Sequence, residues 1–197
     1  MRHEVGTMHR ITARAQRDLG RGRTAEGPQV IFTATADGWF DLGGRRVRCA
    51  LGRSGVTRAA DKREGDLASP LGVWPIRRLL YRPDKVGPPV TALPVQPIEP
   101  DDGWCDDPGD GSYNRPVKLP RHGSFERMWR DDDLYDLVLV LGHNDDPPQP
   151  KMGSAIFLHV ARPGYLPTEG CVALAREDVE ALIAAAKPGD AIEIRKA

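Results

Sequence analysis

His159 and Cys171, twelve positions apart, are the residues in this chain whose types and spacing suit nucleophilic chemistry. A cysteine thiol attacks a carbonyl when a neighbouring imidazole takes its proton, and the thioester that forms then passes to an amine or to water. Pro163-Gly164 lies between them as a turn signal, so a strand end can double back and bring the two side chains together. Gly170 lets the backbone approach a substrate closely, and the amides around Gly170 and Cys171 are placed to receive an oxyanion. A helix starting near Arg176 brings positive dipole toward the thiol, which favours the thiolate. The same spacing also fits a core histidine and a buried free cysteine, and the pair alone does not separate these readings.

The elements that must hold the pair are mostly strands. Residues 29–36 are β-branched, and 45–51 alternate apolar with charged, so Val47, Cys49 and Leu51 face inward. Cys49 is therefore expected in the core. Residues 73–81, 134–141, 153–160 and 191–195 also read as strands, the 134–141 run being the most apolar. One helix is expected over Arg176–Lys187, with Val179, Leu182, Ile183 and Ala186 on its apolar face and Pro188-Gly189 as its stop. Ser124–Trp129 suggests a helical turn. Residues 57–69 read as a long polar loop suited to binding. Six prolines between 83 and 100 leave only extended edge segments and turns there. Trp104 and Tyr113 mark the turn-rich stretch from 103 to 115 as an ordered loop near the site. The expected fold is mainly β with one clear helix, built as two packed sheets (α+β in broad terms).

A length of 197 residues with 40% hydrophobic content fits one core domain, expected over 29–197, behind a basic, poorly ordered tail over 1–28. Lys and Arg total 28, as do Asp and Glu, so the basic footprint of a nucleic-acid binder is missing. No apolar run approaches the length of a membrane helix. Residues 1–27 lack the apolar core of a secretory signal. Cys49, Cys105 and Cys171 are an odd number, without zinc-ligand spacing, and the aspartates from 99 to 110 lack EF-hand spacing. Neither a metal nor an organic cofactor is expected.

Ser154-Ala-Ile-Phe-Leu-His159 followed by Thr168-Glu-Gly-Cys171 resembles the catalytic motif of the YkuD-type L,D-transpeptidases. Lys62 to Gly72, Gly103-Trp-Cys-Asp-Asp, Tyr113-Asn-Arg and Leu141-Gly-His-Asn144 extend the resemblance over roughly residues 30 to 195. It implies a two-sheet L,D-transpeptidase-like sandwich acting on peptidoglycan stem peptides in the cell envelope or periplasm. It also implies Cys171 as nucleophile, His159 as proton donor and acceptor, and Gly170 in the oxyanion region. Thr168, Glu169 and His143 are the candidate substrate-binding residues. Two positions depart from the family pattern: Glu169 replaces a histidine, and Ala173 replaces an arginine associated with substrate carboxylate. Arg162, Arg115 and Arg63 are candidates for that lost contact. Hydrolysis with water as acceptor, and a non-catalytic peptidoglycan-binding module, remain as alternatives. An external substrate sits uneasily with the missing signal; a mis-assigned start, an unusual export route or a cytoplasmic substrate would each reconcile them.

Overall fold

The computed structural model describes residues 29–197; the expected basic tail over 1–28 lies outside the described residues. The chain opens with β1 (Ile31–Thr35), β2 (Trp39–Asp41), β3 (Arg46–Ala50) and β4 (Val56–Arg58), followed by the long β5 (Ser69–Tyr81). Five short strands come next: β6 (Val95–Pro97), β7 (Asp102–Cys105), β8 (Pro116–Lys118), β9 (Phe125–Arg127) and β10 (Leu137–Leu141). β11 (Phe157–Val160), β12 (Val172–Leu174), the single α-helix α1 (Arg176–Ala185) and β13 (Ala191–Arg195) complete the domain. The described residues are thus mainly β with one helix and two sheets, of ten and three strands. Among the described residues, no helix is long and apolar enough to cross a membrane.

β5 joins the two halves of the large sheet. Its residues Gly72–Pro75 pair with β13, and Ile76–Tyr81 pair with β10. Pro75 has no N–H to donate at the point where the partner changes, and its carbonyl accepts the Gly142 N–H at 2.9 Å. Because β10 also pairs with β11, the path β10-β11-β12-β3-β2-β1-β13-β5 closes on itself as a ring of eight strands. β4 and β6 add to β5 outside that ring, and β8-β7-β9 form the small sheet.

Strand alternation decides which side chains enter which core. Leu137, Leu139 and Leu141 of β10, Leu158 and Val160 of β11, and Val172 and Leu174 of β12 point into the main core. There they meet Val179, Leu182, Ile183 and Ala186, the apolar face expected of α1. Val138, Val140, Phe157 and Cys171 point the other way, into a second core with Trp104 of β7, Met128, Tyr135 and Ile98. Both faces of β10 and β11 are therefore buried, which explains the unbroken apolar sequence of β10 and leaves His159 as the one polar residue of β11.

Most expected strands are present with shifted ends, and Val47, Cys49 and Leu51 are buried as their alternation predicts. Three readings need correction. Ser124–Trp129 is not a helical turn: β9 pairs with β7, Glu126 opposite Trp104, because so short a segment satisfies its backbone better on a neighbouring strand than in one isolated turn. The strand expected from 73 begins at Ser69, since β4 pairs with Ser69–Leu71 out of the supposed loop. The strand expected from 153 begins only at Phe157, because Gly153 and Ala155 have positive φ (89° and 52°) and bend the chain before it.

Candidate active site

β11 and β12 lie side by side and parallel, with Leu158 opposite Val172 and His159 opposite Ala173. Cys171 immediately precedes β12, so it shares a face with His159, offset along the pair by about one side-chain repeat. Both line one cavity of about 220 Å³ in the cleft beside the small sheet, together with Tyr135, Glu126 of β9 and Arg130. The turn between them passes through a 3-10 segment, Pro163–Tyr165, in which Gly164 takes φ 74°.

The Cys171 thiol donates to the Ala155 carbonyl at 3.2 Å, while the Phe157 N–H points at the sulfur at 3.4 Å. His159 Nδ1 lies 2.8 Å from the Val160 carbonyl. A carbonyl only accepts, so Nδ1 carries the proton and Nε2 keeps its lone pair for use as a base. Tyr135 packs edge-on against the same ring at 5.4 Å between centroids. The thiol hydrogen bond goes to Ala155 rather than to the imidazole.

Burial governs the electrostatics. It pushes the Cys171 thiol up to about 12; the Glu126 carboxylate adds to this, while the Phe157 N–H and the Lys62 ammonium oppose it. It pushes His159 down to about 4, against the pull of the Val160 carbonyl, and Arg162 and Arg130 add to the lowering. The resting pair is a neutral thiol beside a neutral imidazole. The thiolate expected from the α1 dipole is not found, because desolvation of the buried sulfur outweighs a helix end beyond the intervening strand β12.

The lowered His159 value fixes a pH response. Between about 6.5 and about 4 the unfolded chain binds a proton that the folded ring refuses, so stability is full above that window and falls as pH drops through it. We expect this group to remove about 3 kcal/mol across the window. Denaturant titrations of wild type and His159→Gln check it: the variant should lose that share of the acid slope, and parallel slopes would contradict it.

Thr168 and Gly170 build the turn that presents Cys171. The Thr168 hydroxyl donates to the Cys171 carbonyl at 2.7 Å and accepts the Gly170 N–H at 3.1 Å. Gly170 holds φ 139°, and a Cβ there would lie 3.1 Å from the Ala68 carbonyl oxygen and 3.3 Å from Ile156 Cδ1. Glu169 and Ala173 both line the cavity. His143 does not line it: its Nε2 contacts the Met152 carbonyl at 3.1 Å, and its ring meets Trp74 edge-on. Of the three arginines proposed for the lost contact, Arg162 lines this cavity, Arg115 lines a neighbouring one, and Arg63 turns back to the Ala60 carbonyl.

Sequence reasoning missed several polar residues here. Glu64 accepts hydrogen bonds from Tyr113 at 2.5 Å and Ser154 at 2.7 Å, and Glu126 accepts one from Tyr135 at 2.8 Å. Glu126 sits in the segment read as a helical turn, and only its pairing with β7 turns it toward the thiol. Away from the cleft, Glu99, Asp101 and Asp102 cluster around the Lys118 ammonium at 2.6, 2.7 and 2.8 Å, which fills the place a cation would take.

Fold and cleft together define a β domain that presents one cysteine and one histidine to a shared cavity between two sheets. Residues 29–194 match the family described as the L,D-transpeptidase catalytic domain, YkuD, and the chain belongs to that family. Comparison with curated proteins gives no match. Among solved structures, the chain is similar to L,D-transpeptidase 1 of Mycobacterium tuberculosis, with 15% identity and a TM-score of 0.38, covering 85% of this chain and 62% of that one. It is also similar to L,D-transpeptidase 3 of the same organism, solved with a faropenem-derived adduct, with 16% identity and a TM-score of 0.42, covering 86% and 61%. The chain thus spans less than two thirds of either structure.

Proposed function

We propose that this protein is a cysteine acyltransferase that cross-links peptidoglycan stem peptides in the cell envelope. The observation that carries this reading is the single cavity lined by both Cys171 and His159, whose Nε2 lone pair is left free by the Nδ1–Val160 hydrogen bond. His159 takes the thiol proton as Sγ bonds to the carbonyl carbon of the third stem residue. The peptide C–N bond then breaks, and the terminal D-alanine leaves with that proton on its amine. The amine of a second stem next attacks the thioester, passes its proton to His159, and releases the cysteine as the new amide forms. A neutral resting pair makes proton transfer concurrent with attack, so no thiolate accumulates beforehand. During attack the Gly170 N–H exchanges its Thr168 partner for the developing oxyanion.

Two measurements test this. Incubation with a carbapenem followed by intact-mass spectrometry should show one covalent adduct, mapping to Cys171. Incubation with a disaccharide-tetrapeptide should give a cross-linked dimer with loss of D-alanine. Tripeptide alone would reassign the acceptor to water, and folded protein without any adduct would sink the acyl-enzyme.

A further inference from the structure

A second cavity, of about 290 Å³, adjoins the first, and Ile156 lines both. Its walls carry Arg77 and Arg78 of β5, Arg115 just before β8, Trp104 of β7 and Phe157 of β11. Three guanidiniums thus face it against one carboxylate, Asp145. Arg77 already engages both oxygens of that carboxylate, at 2.7 and 3.2 Å. Among the described residues neither Arg78 nor Arg115 forms an ion pair, and Arg78 Nε is buried with no acceptor. The Arg78 guanidinium carbon lies over the Trp104 ring, 5.7 Å from its centre, within cation–π range.

Two like charges facing one enclosed space are unfavourable unless something negative joins them. Burial, and then the charge of Arg115, hold the Arg78 guanidinium below its ordinary proton affinity. The neighbouring polar groups do not answer this demand. Trp104 Nε1–H donates to Asn114 Oδ1 at 2.9 Å, and the Asn114 amide donates to the His143 and Asn144 carbonyls. What is left is a pair of planar guanidinium forks, one with a buried free donor, lining a cavity of about 290 Å³. Such forks match the paired oxygens of a carboxylate or phosphate.

We infer that the cavity between Arg78 and Arg115 is a binding site for an oxyanion, a carboxylate or phosphate group, beside the Cys171 cleft. The site stands whether or not Cys171 performs acyl transfer. Because Ile156 separates it from the nucleophile, one extended ligand can place an anionic group here and another segment in the cleft.

Isothermal titration of the full chain with inorganic phosphate, and separately with glutarate, tests the site against sodium chloride at matched ionic strength. Saturable binding of at least one probe is expected, weakened by about tenfold or more in Arg78→Met and in Arg115→Met. Thermal unfolding of each variant and alkylation of Cys171 by iodoacetamide report whether the fold is kept; Arg115 precedes a short surface strand and is the variant expected to fold as wild type. Phosphate alone binding marks a phosphorylated ligand, and glutarate alone or both mark a carboxylate site. No saturable binding above the chloride control, or binding undiminished in the folded Arg115→Met protein, overturns the inference.

Discussion

Replacing Cys171 by alanine is expected to abolish covalent capture of a carbapenem and to lower peptide turnover by about a thousandfold or more, since a nucleophile and its base act as a unit. Stability should change little in the same variant. The residue is only 8% exposed, but the change removes one atom whose partners, the Ala155 carbonyl and the Phe157 N–H, lie at strand ends where water can replace it. Cys49 is the matching control. It is 2% exposed within the main core, and burial pushes its thiol up to about 12. Cys49→Ala should therefore leave adduct formation intact and cost about 1 kcal/mol through the small cavity it opens. Intact-mass spectrometry and urea unfolding of the two variants separate the effects. Turnover that survives Cys171→Ala would remove the nucleophile from the mechanism.

The second large effect concerns the ammonium beneath the turn from Thr168 to Cys171. Lys62 is 3% exposed, its Nζ donates to Asp66 and to the Arg63 carbonyl, and it lies 3.7 Å from where a Cβ on Gly170 would stand. Asp66 is far more open, at 23%. Burial works against its carboxylate, but the Arg63 and Ala68 N–H groups together with Lys62 hold its pKa below the usual range. The two halves of the pair are thus unequal. Asp66→Asn strands a buried cation and should cost about 3 kcal/mol. Lys62→Met leaves a partly hydrated carboxylate that keeps its two N–H donors, and should cost about 1 kcal/mol. The double variant should be more stable than Asp66→Asn alone. Urea midpoints at constant slope measure all three, and equal losses from the two single changes would show that burial does not set the asymmetry.

Much of this was readable beforehand because it depends on local pattern. The α1 face follows from a 3.6-residue period, the inward Cys49 from strict alternation, and the His159–Cys171 juxtaposition from a strand, a Pro-Gly turn and a second strand. What escaped depends on distant partners. Glu126 reaches the cleft only through β7–β9 pairing, and a six-residue segment of mixed polarity gives no local sign of that. The partner change within β5 is invisible for the same reason, since Val73–Tyr81 has strand composition whichever neighbour it takes. The protonation of the pair was misjudged because the helix dipole can be inferred from sequence, whereas enclosure of the sulfur by Phe157, Tyr135 and Trp104 arises only after folding.

The ring of strands also dictates when the domain can be finished. β1 is sealed by β13, Ile31 against Ala191 and Thr35 against Arg195, across 160 positions of chain. During synthesis β1, β2 and β3 can form an early meander, but the outer edge of β1 stays without its partner until β13, 160 positions on, has left the ribosome. The cleft waits on a distant pairing of its own, because β12, which directly follows Cys171, rests on β3, with Ala173 against Ala50. Closure therefore rests on a pairing of very long sequence separation, which slows folding, and the waiting edge of β1 is where a chaperone would act and where premature association between nascent chains would begin.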